Sequence, residues 1–185
     1  MKTTQKTIWL GLALVAAILL TRTSHFGTNV DFPDATLAVL FLGGFLGFGI
    51  RWVLGAIAAA FAIDFYAIGF AGVPDYCMSL GYWGLIPTYA VVWWFGKYAS
   101  TREKPFALTS LLSTSIVSLT IAFVMSNAFW FAFSDKVSMM TVLDFSMSVA
   151  KYYVPYVGYA MAYLALTYAG YQVSQLVFHR KTIAN

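Results

Sequence analysis

Long apolar segments separated by short polar connections are the feature of this sequence that most restricts its fold. The six segments are roughly Ile8–Leu20, Ala35–Ile50, Trp52–Phe70, Leu80–Tyr98, Phe106–Phe133 and Tyr153–Phe178. Most of them approach the ~20 residues that a helix needs to cross a bilayer core. Only 10% of the 185 residues are charged, whereas a soluble domain carries about 25%. We therefore predict one all-α membrane domain over residues 1–185, with six transmembrane helices.

The distribution of basic residues predicts how this bundle is oriented. With a cytoplasmic N-terminus, the inner side holds Lys2, Lys6, Arg51, Lys97, Arg102, Lys104, Arg180 and Lys181, and the outer side holds Arg22, Lys136 and Lys151. Cytoplasmic loops carry an excess of Lys and Arg. We therefore expect both termini to be cytoplasmic. The first segment could instead be a cleaved signal peptide, but no clear small-x-small cleavage site follows it.

Several function classes are disfavoured by what the sequence lacks. The net charge of +4 does not indicate nucleic-acid binding, because no basic stripe is interleaved with aromatic residues. No G-x-x-x-x-G-K-[ST] motif occurs, so the chain has no ATP site of the usual kind. Uphill transport would need a partner or an ion gradient.

Ionisable groups within apolar segments are expensive and usually functional. Asp64 lies about two-thirds of the way to the outer face of the third segment, where it either contacts a ligand or pins a neighbouring helix. His25 follows the first segment. Cys77 is the only cysteine and precedes Tyr82 at the outer mouth of the fourth segment. Thiolate and imidazole are ligands for transition metals, but this spacing matches no zinc pattern. The alternative is that Cys77 acts as a small buried hydrophobe.

The last segment carries tyrosines on one helical face, namely Tyr152, Tyr156, Tyr159 and Tyr163. These residues either anchor and pack the helix or form the wall of a site for a flat, partly polar molecule. Ser110, Thr114 and Ser118 share a face of the fifth segment, which favours hydrogen bonds between helices. Ala13 and Ala17 are small residues four apart in the first segment. Such pairs allow close helix contact within the bundle or with another membrane protein.

Together these residues resemble a known family. The stretches DFPDATLAVLFLGGF, AIDFYAIG and DYCMSLGYWGLIPTYAVVWWFGKY, with the six-helix layout, are similar to the solitary cobalamin (vitamin B12) S components of energy-coupling-factor (ECF) transporters. These are small corrinoid transporters of Gram-negative bacteria. The likeness covers most of the chain and is most specific around the cysteine. It implies a six-helix S-component fold that binds cobalamin at its periplasmic face.

The resemblance also implies roles for individual residues. Cys77 would ligate the cobalt of cobalamin and take part in removing cyanide from cyanocobalamin. His25, Asp64 and Tyr82 match other residues of the family's site, and Lys151 is the candidate for a basic group near the last helix. Ala13 and Ala17 would dock onto an ECF transmembrane coupling protein, itself associated with ATPases. A solitary member lacks a neighbouring energising module.

Three alternatives remain at the level of sequence. The chain could be an S component for another vitamin or for a transition-metal ion. It could be a membrane thiol enzyme with Cys77 as nucleophile and His25 as base. It could also be an assembly factor that grips protein partners through its small residues.

Overall fold

The computed structural model describes residues 3–23, 32–72 and 79–183, with side chains over 5–22, 32–72 and 79–177. No β-strand occurs in these ranges, so the predicted all-α class is confirmed for them. Seven α-helices lie in the described residues: α1 (Thr3–Thr23), α2 (Thr36–Phe45), α3 (Ile50–Phe70), α4 (Leu85–Ser100), α5 (Leu108–Phe133), α6 (Val142–Ala150) and α7 (Tyr153–Ile183). Short 3-10 helices, Leu80–Gly84 and Asp135–Val137, precede α4 and α6.

Three of the described helices are long and apolar enough to cross a membrane. They are α1 over Gln5–Arg22, α3 and α5. The six predicted spans are not confirmed, because α2 has only 10 residues, or about 15 Å at the α-helical rise. The second apolar segment does not continue as helix to Ile50. The chain turns at residues 46–49, where Gly47 adopts a φ of 80° that residues with a Cβ rarely tolerate.

Helices α1 to α5 alternate in direction and α7 runs antiparallel to α5, so the bundle has two ends. At the upper end, α1 and α3 finish and α2 begins, as shown by hydrogen bonds from Arg22 to Asp64 and Thr36. At the lower end, α2 and α4 finish and α5 begins. Phe106, which precedes α5, packs edge-on against Phe45 at the end of α2. These two ends carry different chemistry.

The core is organised around α2, which is buried along most of its length. Its closest neighbour is α4, and glycines at the crossing allow the two backbones to approach. A Cβ added to Gly96 would collide with the carbonyl oxygen of Phe41, and one added to Gly44 would collide with that of Trp93. Small residues at such crossings are typical of helices packed in a membrane.

The polar face of α5 does not form the expected hydrogen bonds between helices. Thr114 Oγ1 donates to the carbonyl of Ser110, one turn back in the same helix, at 2.8 Å. The hydroxyl oxygens of Ser110 and Ser118 are buried with no hydrogen-bond partner in the described part of the chain. A serine hydroxyl in a helix is short, and the neighbours of these two are not within its reach. The expectation was therefore wrong for this face.

Candidate functional site

A buried guanidinium at the end of α1 organises the upper end of the bundle. Arg22 Nε donates to Asp64 Oδ1 at 2.6 Å, and Nη2 donates to Asp64 Oδ2 at 2.5 Å. Nη1 donates to Asp34 Oδ2 at 2.7 Å. A two-pronged contact of this kind fixes both the position and the plane of the carboxylate. Arg22 therefore ties α1 to α3 and to the start of α2.

The second carboxylate, Asp34, lies just before α2. Its Oδ1 accepts hydrogen bonds from the backbone N–H of Thr36 at 2.9 Å and from Thr36 Oγ1 at 2.5 Å. The first N–H groups of a helix have no partner within the helix, so Asp34 satisfies one of them. This contact explains why Asp34 stays close to Arg22 while its side chain remains 34% exposed.

Two tyrosines from the beginning of the α4 region complete the cluster. Tyr82 OH donates to Asp64 Oδ2 at 2.7 Å. Tyr89 OH accepts a longer hydrogen bond from Arg22 Nη1, at 3.4 Å. Phe61 packs against the ring of Tyr82, with centroids 4.8 Å apart. We name this set the polar cluster; its members are Arg22, Asp34, Thr36, Asp64, Tyr82 and Tyr89.

The local sequence explains how Tyr82 reaches Asp64. Ser79 begins the 3-10 helix and its Oγ accepts a hydrogen bond from the N–H of Gly81. Gly81 and Gly84 lie directly against Phe129 in α5, where a Cβ would collide. These glycines let the 3-10 helix pack closely on α5. Tyr82, which lies between them in the sequence, faces α3, where its ring packs on Phe61 and its hydroxyl reaches Asp64.

Hydrogen bonds hold the connection between α1 and α2 at both of its flanks. Thr21 Oγ1 accepts a hydrogen bond from the N–H of Ala35 at 3.1 Å. Tyr163 OH, from α7, donates to the carbonyl of Pro33 at 2.7 Å. With the Arg22–Asp34 pair, these contacts hold both flanks of the connection beside Asp64.

The charges in the polar cluster do not cancel. One guanidinium faces two carboxylates, so the cluster carries a formal charge of −1 when both acids are ionised. Arg22 and Asp64 are only 12% and 15% exposed, and charges so far from water persist only when paired and hydrogen-bonded. Asp64 Oδ2 accepts from both Arg22 and Tyr82, whereas Oδ1 accepts only from Arg22 Nε and retains one acceptor site. The cluster is therefore a fixed acceptor for N–H or O–H groups of a ligand.

The polar cluster has too few metal-binding side chains to hold a bare metal ion. Among the described residues, no group of three or more His, Cys, Asp and Glu side chains is close enough to do so. Its two carboxylates already share a guanidinium, which a cation would have to displace.

Some of the predicted site residues are in contact, and others lie elsewhere or outside the described residues. Asp64 and Tyr82 meet directly, although 18 positions separate them. His25 and Cys77 lie outside the described residues. Lys151 follows α6, with its Nζ 5.0 Å from the centroid of the Tyr152 ring, and both residues are exposed.

The tyrosine face of α7 does not form a uniform wall. Tyr156 is partly buried and packs edge-on against Phe123 in α5. Tyr163 OH donates its hydrogen bond to the Pro33 carbonyl, whereas the side chains of Tyr152 and Tyr159 are more than half exposed. The face therefore combines packing within the bundle with exposed aromatic surface.

The two alanines expected to dock a partner also differ. Ala13 is exposed, whereas Ala17 is partly buried against the core of this chain. The α1 surface thus presents Ala13 outward, among exposed large apolar side chains such as Leu12.

Sequence reasoning missed Arg22, Asp34 and Tyr89 as members of the site. The sequence places Arg22 among the basic residues of the outer side, and no local pattern singles out Asp34 or Tyr89. A signal was present, because an Arg ending one apolar segment and an Asp within another were both expected at the outer end. Opposite charges at the same depth of a bundle predict a pair.

No protein-family model matches the chain, and no curated protein matches it at a significant level.

Proposed function

We propose that this chain is a membrane-embedded cobalamin-binding protein of the solitary S-component type, with its ligand site at the upper end. The observation that carries the proposal is the 2.7 Å hydrogen bond between Tyr82 OH and Asp64 Oδ2. The resemblance assigns both residues to the corrinoid site, and they come from separate elements of the chain. Their contact is what a shared site requires.

Asp64 has a chemical role that suits a corrinoid. The corrin ring carries amide side chains around its edge, and their N–H groups are donors for a carboxylate. Arg22 pairs with the Asp64 carboxylate and fixes its plane through two hydrogen bonds. A preorganised charged acceptor makes hydrogen bonds stronger than neutral ones. Asp64 would therefore orient the ring from one edge.

Cys77 is the proposed ligand of cobalt, and His25 would assist it. In the sequence Cys77 precedes Tyr82 by only a few residues, and His25 follows Arg22 closely. Arg22 and Tyr82 both contact Asp64. That convergence supports a site to which both segments contribute.

Removal of cyanide from cyanocobalamin would be a ligand exchange at cobalt. The Cys77 sulfur–cobalt bond forms as the cobalt–cyanide bond breaks, and cobalt keeps its oxidation state. The thiol proton leaves with cyanide as hydrogen cyanide. The thiolate is the reactive form of cysteine in such exchanges.

The membrane arrangement belongs to the same proposal. The bundle would lie in the bacterial inner membrane as six spans, formed by α1–α5 and α7, with the upper end facing the periplasm. The exposed basic residues of the lower end, Arg51, Lys97, Arg102 and Lys104, fit a cytoplasmic side. Ala13 would meet a transmembrane coupling protein of an ECF module, whose ATPases would supply energy that this chain has no motif to generate.

The test is the visible absorption spectrum of the detergent-purified protein with cobalamin, beside Cys77→Ala. A shifted spectrum typical of thiolate-bound, base-off cobalamin, lost in the variant, would support both ligand and cobalt-binding residue. If neither protein retained cobalamin, the corrinoid proposal would fail and another vitamin, a metal ion or thiol chemistry would come forward. If both retained it with one spectrum, Cys77 would not be the ligand.

A further inference from the structure

The lower half of the bundle contains a cavity of about 240 Å³ between α2, α5 and α7. In the upper half, α5 and α7 are in contact, as seen in the hydrogen bond of 2.8 Å between Thr120 and Tyr153 and in the packing of Leu119 with Ala160. Towards the lower end the helices are separated by the cavity. They meet again where the ring of Phe106 stacks on Tyr171 at 4.7 Å.

The cavity offers no free polar group to a ligand among the hydroxyls whose partners are defined. Ser115 Oγ donates to the carbonyl of Leu111 at 2.6 Å, and Thr167 Oγ1 donates to that of Tyr163 at 2.9 Å. Tyr168 OH accepts from Gln172 and donates to the carbonyl of Phe106. The remaining lining is almost entirely hydrocarbon. Such a cavity accepts apolar chains and excludes polar solutes.

The cavity opens on the side of the bundle, between helices. Its lining residues Leu46, Phe106, Leu108 and Leu112 are each about two-fifths to one-half exposed. Because α5 is one of the helices able to cross a membrane, the lining at its start faces a lipid environment when the protein is inserted. Hydrocarbon from the bilayer can enter without crossing a polar barrier.

A net positive charge lies beside this opening. The turn that leads into α5 contains Arg102 and Lys104, both exposed, against a single acid, Glu103. The carbonyl of Lys104 accepts a hydrogen bond from the N–H of Ala107 at 3.0 Å, so Lys104 belongs to the same turn as Phe106. Basic groups at a helix end attract anionic lipid headgroups.

We propose that the cavity between α2, α5 and α7 binds an acyl chain of an anionic phospholipid, whose headgroup lies at the turn 101–107. This inference is independent of the proposed cobalamin site, which occupies the other end of the bundle. A phospholipid fits better than a partner helix because a cavity of about 240 Å³ is too small for a helix, whose diameter with side chains is about 10–12 Å.

The experiment is native mass spectrometry of the delipidated full-length chain in mild detergent, with phosphatidylglycerol or phosphatidylcholine added. The wild type should retain phosphatidylglycerol in preference to phosphatidylcholine. Ala165→Trp fills the cavity from α7 and should abolish retention. Ala162→Trp places the same side chain on the exposed side of α7, outside the lining, and should retain the lipid.

The headgroup is tested separately. Lys104→Gln should weaken phosphatidylglycerol about fivefold, the effect of about 1 kcal/mol for one lost charge, and leave phosphatidylcholine unchanged. Arg51→Gln, at the same end but on α3, should have no such effect. Ala165→Leu provides a milder filling variant in case Ala165→Trp misfolds.

Equal retention of phosphatidylglycerol by the Ala165 and Ala162 variants would overturn the proposal. So would a wild-type dimer that Ala165→Trp converts to a monomer while lipid retention stays unchanged, because a second copy would then be the occupant. Equal binding of the two lipids by the wild type would refute the anionic headgroup.

Discussion

The two ends of this bundle are held together by different kinds of contact. At the upper end, Arg22, Asp34 and Asp64 from three parts of the chain are held by ion pairs and hydrogen bonds at 2.5–2.7 Å. At the lower end, aromatic rings such as Phe45, Phe106 and Tyr171 close around a hydrocarbon-lined cavity. The upper end therefore has directional contacts that a ligand can extend, whereas the cavity at the lower end offers only shape and apolar surface.

This difference has consequences for how each end responds to substitution. Directional charged contacts fail abruptly when one partner is removed, since the other is left buried without compensation. Apolar contacts fail in proportion to the volume gained or lost. The two ends should therefore be distinguishable by matched variants.

The largest effect is expected for Arg22→Ala. Removal of the guanidinium leaves two carboxylates facing each other beside α1, so the free energy of unfolding should fall by about 3–5 kcal/mol. Thermal and denaturant unfolding in detergent measures this, with Arg51→Ala, an exposed arginine at the lower end, as the control. Equal losses for the two variants would show that the polar cluster does not stabilise the upper end.

The next effect belongs to the apolar packing of α2 on α4. Gly44→Ala adds a methyl group against the Trp93 carbonyl, and overpacking of this kind should cost about 1–3 kcal/mol. The matched variant is Gly55→Ala in α3, where nothing lies within 4 Å of an added Cβ. That control should be stabilised by up to about 1 kcal/mol, because alanine favours helix over glycine. If Gly44→Ala were as stable as the control, the close approach of α2 and α4 would be wrong.

A smaller loss is expected for Tyr82→Phe. The change removes one hydrogen bond to a charged acceptor, worth about 1.5–3 kcal/mol, while Arg22 continues to hold Asp64. We expect a loss of about 1.5 kcal/mol in the free energy of unfolding. Tyr98→Phe removes a hydroxyl at the lower end that accepts from exposed Arg102, and it should change stability by less than about 0.5 kcal/mol.

The smallest effect, and one of opposite sign, is expected for Ser118→Ala. The Ser118 hydroxyl is buried with no hydrogen-bond partner among the described residues, so its removal should leave stability unchanged or raise it by up to about 1 kcal/mol. Thr114→Ala, which breaks a hydrogen bond within α5, is the comparison. A clear loss of stability in Ser118→Ala would reveal a partner for its hydroxyl.

The sequence predicted the all-α class, because long apolar segments with few charges form membrane helices. It also placed Asp64 and Tyr82 in one candidate site, and their hydrogen bond has a physical reason, since an acid in an apolar segment needs a partner. The 10-residue length of α2 escaped prediction because Leu46, Phe48 and Ile50 continue the apolar pattern through a turn that Gly47 permits. Hydropathy alone does not distinguish apolar turn residues from apolar helix.

The rest of the site was harder to predict because it depends on long-range geometry. Tyr89 joins Arg22 only because α4 packs closely on α2, which no local pattern of α4 shows. The cavity also leaves no signal, since leucines and phenylalanines that line a gap look the same in sequence as those that face lipid. Helix packing decides which of the two they do.

The most direct test of the central claim, that the polar cluster at the upper end belongs to a cobalamin site, is a titration of cobalamin into two purified variants. Tyr82→Phe and Tyr98→Phe each remove one phenolic hydroxyl, from the upper and lower end respectively. We predict that Tyr82→Phe weakens cobalamin about tenfold, the equivalent of one hydrogen bond of about 1.4 kcal/mol, and that Tyr98→Phe binds as the wild type does. Unchanged affinity in Tyr82→Phe, or an equal loss in both variants, would contradict the claim.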